Sequence, residues 1–347
     1  MINKTSHKIF YKDSRNLSYI KDKTVDLVVT SPPYPMIQMW DEIFFSQNKK
    51  IQEEIQNKNG KEAFEYMHKE MDKTWSELFR VLKDGGIACI NIGDATRTIN
   101  KNFFLYPNHS RIIDYCFRIG FDTLPSIIWR KQTNAPNKFM GSGMLPVGAY
   151  VTLEHEYILI LRKNGRRKFE KENLKKTRQE SSFFWEERNS WFSDVWMDIK
   201  GINQKIIDKK TRERSAAFPF NIAYRLINMY SVKGDTVLDP FLGTGTTSIA
   251  AMAAERNSIG IEIDDSFKDI IEKTFYNSIN FSNEIIEKRI KQHVDFVEER
   301  KTKSKEIKYK NCHYNFPVIT KSEKEIIFRK LKKINKKEEN FIVEYEN

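Results

Sequence analysis

At 347 residues the chain can form one large domain or two, and 39% apolar residues supply a sizeable core. Its 59 Lys and Arg against 47 Asp and Glu leave a net charge of +12, which points to a polyanionic partner; the plain alternative is a solubilising lysine-rich surface. Cys89, Cys116 and Cys312 stand apart, with no Cys-x-x-Cys or Cys/His cluster, which argues against a disulfide framework, suggests no metal and fits a reducing compartment. The start, MINKTSHKIFYKDSRN, has no apolar signal-peptide core, and no apolar run approaches the roughly 20 residues of a membrane span. A cytoplasmic protein with no membrane partner is expected.

Short apolar strands alternate with helical stretches, the pattern of an α/β fold with a mostly parallel sheet. In chain order the predicted strands are Lys8–Tyr11, Asp26–Thr30, Gly86–Ile92, Pro125–Arg130, Glu156–Leu161, Thr236–Pro240 and Ser258–Glu262. Helical periodicity is clearest over Ala63–Leu82, Arg111–Gly120, Ile222–Tyr230 and Thr246–Glu255. The second strand ends in Thr30-Ser31-Pro32-Pro33-Tyr34-Pro35. Prolines at three of four positions can continue neither a helix nor a central ladder, yet a hydroxyl and an aromatic ring sit among them.

Two segments break the alternation. Residues 163–214 open with KNGRRKFEKENLKKTRQE and turn aromatic in SSFFWEERNSWFSDVW. Basic residues followed by clustered Phe and Trp suit an insert that touches nucleic acid, with Arg166, Arg167, Lys168, Lys175, Lys176 and Arg178 as phosphate contacts. A solvated loop over a small satellite core fits the same composition. Residues 283–347 form a lysine-rich tail in which Ile326, Phe328, Leu331 and Ile334 keep a helical spacing, so an appended helical extension is expected.

Gly234 to Asp264 reads GDTVLDPFLGTGTTSIAAMAAERNSIGIEID. A strand ends at Asp239, a glycine turn follows through Gly243 and Gly245, a helix opens at Thr246, and the next strand ends in Glu262. Strand, glycine turn, helix, strand and acid is a nucleotide-binding βαβ arrangement. The glycines let a ligand approach the backbone, and a terminal carboxylate can accept from two ribose hydroxyls. Neither GxGxxG nor GxxxxGK[ST] is present, so a nucleoside without a pyrophosphate, such as S-adenosylmethionine, suits the turn better than a dinucleotide.

Together the proline corner and the glycine turn resemble the amino-group DNA methyltransferases, which methylate cytosine at N4 or adenine at N6. The corner matches their catalytic motif, here Ser31-Pro32-Pro33-Tyr34, and DPFLGTGTT matches their cofactor motif. The catalytic motif coming first resembles the β class, whose recognition segment lies between the two. YKDSRNL, VLKDGGIACINIGD, HEYILILRK, SDVWMDI and FPFNIAYRLINMYS resemble further family segments; RSAAFP stands where the family often has His-Pro before Phe-Pro. The resemblance spans about residues 8 to 265 and leaves the tail outside it.

The resemblance implies a Rossmann-like methyltransferase fold. Residues 1–162 and 215–282 would form a discontinuous catalytic domain, 163–214 a target-recognition insert and 283–347 a basic helical extension. S-adenosyl-L-methionine would be the cofactor, held by Asp13, Ser14, Phe218, Asp239, Pro240, Phe241, Gly243, Gly245, Thr246 and Glu262. The partner would be double-stranded DNA, with a restriction endonuclease acting on the same site. A base must leave the duplex for its amine to be reached; Tyr34 would stack on it, while the Ser31 hydroxyl and the Pro32 carbonyl accept from the amine. Serine rather than aspartate in the first place leans toward cytosine N4, with adenine N6 the alternative. A dehydrogenase would need a dinucleotide loop. A non-catalytic DNA-binding protein would explain the charge but not the paired motifs, and RNA stays open as a substrate.

Overall fold

The computed structural model describes residues 3–131, 140–200, 218–303 and 307–346. Its strands in chain order are β1 (Lys4–Tyr11), β2 (Val25–Thr30), β3 (Leu82–Ile92), β4 (Ala95–Ile99), β5 (Asn102–Tyr106), β6 (Phe121–Arg130), β7 (Met140–Gly141), β8 (Ala149–Tyr150), β9 (His155–Lys163), β10 (Val195–Trp196), β11 (Thr236–Asp239), β12 (Asn257–Glu262), β13 (Tyr309–Lys310), β14 (Pro317–Val318), β15 (Leu331–Lys337) and β16 (Asn340–Tyr345). Ten form one sheet in the order β10-β6-β9-β3-β2-β11-β12-β1-β16-β15. Of these ten, β9 and β16 run against the others, so the sheet is mostly parallel, as expected.

Every residue of β2 is buried, because helices cover both faces of the sheet at this point. Leu27 and Val29 join one core with Val237, Ile222 and Ile249, whereas Val28 joins the other with Leu238, Trp75 and Leu78. Alternate residues thus feed opposite cores, as the two-residue period of a strand requires. From β2 the chain runs through the helix Gly60–Val81 to β3 on one side; from β11 it runs through the helix Thr246–Ala253 to β12 on the other. The crossovers therefore diverge between β2 and β11. That divergence leaves a crevice at the carboxyl ends of the two strands, where open α/β sheets hold their ligands.

Two expectations are corrected. Among its described residues the tail is α-helical at its start alone, as part of the long helix Lys268–Thr302, with one further 3-10 turn at Lys321–Glu323; β15 and β16 then form a hairpin, and β16 pairs with β1. The apolar positions were the right ones, since Ile326, Leu331 and Ile334 are buried. The register shifts between Leu331 and Lys333. That irregularity turns residues three apart to one face and imitates a helical period.

The second correction concerns the basic insert. Because β9 is antiparallel to β3, its end delivers residue 164 to the amino edge of the sheet, opposite the crevice. There Arg167 pairs with Asp235 at 2.5 Å and reaches Asp26 at 3.5 Å, two acids at the starts of β11 and β2. Phe184 stacks on His293 at 3.8 Å, and Glu187 pairs with Arg289 of the long helix. The first part of the insert thus anchors the tail away from Tyr34, whereas β10 returns along β6 to Ile128 and Trp129 near the carboxyl edge; the remainder, 201–214, falls outside the described residues. Arg166, Lys168, Lys175, Lys176 and Arg178 share that remote segment, so none of the six proposed phosphate contacts is brought to the crevice.

Candidate active site at the divergence of two crossovers

The glycine turn forms the floor of the crevice. Gly243 and Gly245 both have left-handed backbones, φ +54° and +92°, which glycine adopts at little cost. A Cβ on Gly245 would meet Phe275 at 2.6 Å, so this turn needs glycine for packing as well as for its dihedral. A Cβ on Gly243 would meet nothing within 4 Å; it would project into open space. Glu262 accepts from the Gly243 amide at 2.8 Å and, through its other oxygen, from the Asp264 amide at 3.0 Å. Burial outweighs these hydrogen bonds and pushes the Glu262 carboxyl up to about 7.

Asp239 ties the glycine turn to the proline corner. One oxygen accepts from the Thr30 hydroxyl at 2.7 Å and from the Phe241 amide at 3.1 Å, and the other from the Thr247 hydroxyl at 2.6 Å. The residue is almost wholly buried, and burial pushes its carboxyl up to about 6 despite these donors. Across the crevice, Asp13 is held by Arg15, whose Nη2 lies 2.6 Å from Oδ2. Burial works against the Asp13 charge, but the Arg15 hydrogen bonds and charge prevail and hold the carboxyl below its ordinary value.

The proline corner is fastened from behind. Asn108 donates to the carbonyls of Pro35 and Gly93, at 3.1 and 3.0 Å, and faces His68 Nε2 at 2.9 Å. Burial lowers the His68 pKa to about 3, so the ring is neutral and its Nε2–H donates to Asn108. At the front, the Tyr34 hydroxyl donates to Glu156 at 2.8 Å, lies 3.1 Å from the Ser31 hydroxyl and receives Asn91 Nδ2 at 2.8 Å. Burial, with the Glu156 charge beside it, keeps the Tyr34 phenol well above its ordinary range.

These parts enclose a cavity of about 830 Å³. Of the residues singled out in the sequence, Asp13, Ser14, Ser31, Pro33, Phe218, Asp239, Pro240, Phe241, Gly243, Thr246 and Glu262 line it. Gly245 instead shapes the turn beneath, and Pro32 and Tyr34 belong to the corner but not to this wall. A second wall was missed in the sequence: Met39, Trp40, Glu42, Ile43, Ser46 and Gln47, from the short helical run after the corner. Its signal was the helical spacing of Trp40, Ile43 and Gln47. Arg97 pins this wall to β4 by gripping Asp41 with two 2.8 Å hydrogen bonds.

The cavity fits S-adenosylmethionine on its own chemistry. Trp40, Phe218, Phe241 and Phe267 offer apolar and aromatic surface to a purine, and Glu262 retains lone pairs for ribose hydroxyls. The open space above Gly243 is what a ligand lying close to the backbone requires.

A family model described as DNA methylase matches residues 25–273. Type II methyltransferase M.MthZI of Methanothermobacter thermautotrophicus is 53% identical over 99% of this chain and 97% of its own length. Type II methyltransferase M.MjaI of Methanocaldococcus jannaschii is 52% identical over 78% of this chain and 91% of its own. Among solved structures, TTHA0409 of Thermus thermophilus complexed with S-adenosyl-L-methionine is 31% identical with a TM-score of 0.61, covering 78% of this chain and 94% of that one. The chain belongs to the N6/N4 DNA methylase family. It is an S-adenosylmethionine-dependent DNA methyltransferase.

Proposed function

We propose that the enzyme methylates the exocyclic N4 amine of a cytosine flipped out of duplex DNA, as the modification partner of an endonuclease that cuts the same site. The observation that carries this reading is Ser31. It stands in the first place of the corner, in the cavity wall beside the glycine turn, and offers a hydroxyl of the size and polarity to accept from a cytosine amine. The Pro32 carbonyl is the second acceptor, and the Tyr34 ring is the face on which the base stacks. The bound cofactor supplies an electrophilic methyl group. The chain's contribution is to hold the amine in line with it, with both acceptors fixed before the base arrives. The relatives named Type II methyltransferases support the pairing with an endonuclease.

The DNA-facing surface in this reading lies at the carboxyl edge of the sheet, not on the basic insert. There the β4–β5 and β7–β8 hairpins meet through Phe103 and Tyr150, stacked at 4.7 Å. The tip between β7 and β8 exposes Met144, Leu145 and Val147. Nucleoside mass spectrometry of DNA methylated by the purified enzyme tests the base assignment. N4-methylcytosine is the expected product; N6-methyladenine with no N4-methylcytosine overturns the assignment and leaves the family unchanged.

A further inference from the structure

The polar groups behind Ser31 have a direction. Glu156 is 7% and Asn91 1% exposed, and both come from strands remote from the corner in sequence. Glu156 Oε2 accepts from Asn91 Nδ2 at 2.6 Å and from the Tyr34 hydroxyl at 2.8 Å, while Oε1 takes Lys131 Nζ at 2.7 Å. Among the described residues every partner of this carboxylate is a donor. The Asn91 amide must present its nitrogen to Glu156, because its oxygen there would face another acceptor.

The hydrogens can then be assigned along the chain. The one phenolic hydrogen of Tyr34 goes to Glu156. The Tyr34 oxygen, already receiving Asn91, has one lone pair left, and Ser31 Oγ lies 3.1 Å from it. Ser31 must therefore donate. Its single hydrogen points inward, and only lone pairs remain toward the cavity.

We propose that Glu156 is a positioning residue that makes Ser31 an obligate acceptor. Through Tyr34 it fixes the direction of the hydrogen-bond chain, so the corner receives a base that presents an amine and rejects one that presents a carbonyl. Asn91 completes the device by filling the other lone pair of Tyr34. The inference rests on the proposed role of Ser31 toward the target amine, and goes beyond it by assigning the origin of that role. Discrimination of this kind is strong because the wrong base leaves buried acceptors facing one another.

The test uses full-length enzyme and a duplex containing the site located by sequencing DNA that the enzyme has methylated. Glu156→Gln keeps a carbonyl oxygen for Tyr34 and Asn91; Glu156→Met keeps the length but no such acceptor. The expected result is a kcat within about tenfold of wild type for Gln and a loss of about 100-fold for Met, with cofactor and DNA dissociation constants little changed. Tyr34→Phe breaks the same chain without touching Glu156 and should reproduce the loss in kcat. It should also lower the preference for the target base over its deaminated counterpart in duplex binding. In a Ser31→Ala background neither Glu156→Met nor Tyr34→Phe should add a further loss. Equal rates for Gln and Met, full activity of Tyr34→Phe, or additive losses in the Ser31→Ala background overturn the proposal. Full activity of Ser31→Ala itself would instead overturn the underlying reading of the corner.

Discussion

The Thr30 hydroxyl donates to Asp239 at 2.7 Å across 209 residues of sequence, joining the last residue of β2 to the last residue of β11. The catalytic corner begins at the next residue after one, and the cofactor turn at the next residue after the other. One hydrogen bond therefore spans the two halves of the site, and the Thr247 hydroxyl on the opposite oxygen fixes the carboxylate plane.

Thr30→Val keeps the shape and removes this donor. The expected loss is about 1–3 kcal/mol of stability, because a buried acceptor loses a partner. Weaker cofactor binding should accompany it. Chemical denaturation and calorimetry read the two effects, and wild-type values in both would show that the link holds nothing.

Cofactor affinity should depend on pH through Glu262. Its carboxyl titrates near 7 in the free protein, and ribose hydroxyls donate to the ionised form. Binding below that value must therefore expel a proton. The dissociation constant should rise as pH falls below about 7, approaching tenfold per unit. Glu262→Gln should flatten this profile. An affinity constant from pH 5.5 to 8 would remove Glu262 from the ribose site.

Gly243→Val places a branched side chain in the open space at φ +54°. Strain and occlusion act together there. Cofactor binding should weaken at least about tenfold, a change of some 1.4 kcal/mol, while duplex binding persists. Unchanged calorimetric affinity would contradict the role given to the turn.

The corner and the glycine turn were legible in sequence because each is a backbone device, written in prolines and glycines that few other contexts require. Of the eleven residues named from those two motifs, eight line the cavity; Pro32, Tyr34 and Gly245 do not. Asn91 and Glu156 were not legible. They stand 65 residues apart on strands that become neighbours only when β9 inserts antiparallel beside β3. Arg167 misled for a related reason. Its partners, Asp26 and Asp235, lie far from it in sequence, so a paired structural arginine read as a free phosphate contact. The tail was misread as helix because an irregular strand can space its buried residues like one.

Duplex affinity should separate the two basic regions. Neutralising Arg167 leaves the buried Asp26 and Asp235 without their shared cation, so Arg167→Gln should lower stability by about 1–3 kcal/mol and leave DNA affinity unaltered. Leu145→Asp, at the exposed tip between β7 and β8, should weaken duplex binding and spare the fold. The reverse pattern in a binding titration would return recognition to the insert.

Overall affinity for duplex DNA should fall steeply with salt, since the net charge of +12 acts through phosphates and released counterions. A nearly flat plot of log affinity against log salt would mean that the charge serves solubility alone.

The place of β1 has a consequence for the order in which the molecule assembles. Both of its neighbours, β12 and β16, follow it by most of the chain: His7 aligns with Ser258 on one side and with Phe341 on the other. During synthesis β1 must remain without either partner while β2 and β3 can already pair with each other. Contacts of such long range make folding slow and leave strand edges open to wrong pairing. A chain ending at Thr302 would retain the corner, the glycine turn and every described wall of the cavity, yet it would present β1 as a bare edge to other chains. Its failure would be aggregation rather than loss of chemistry.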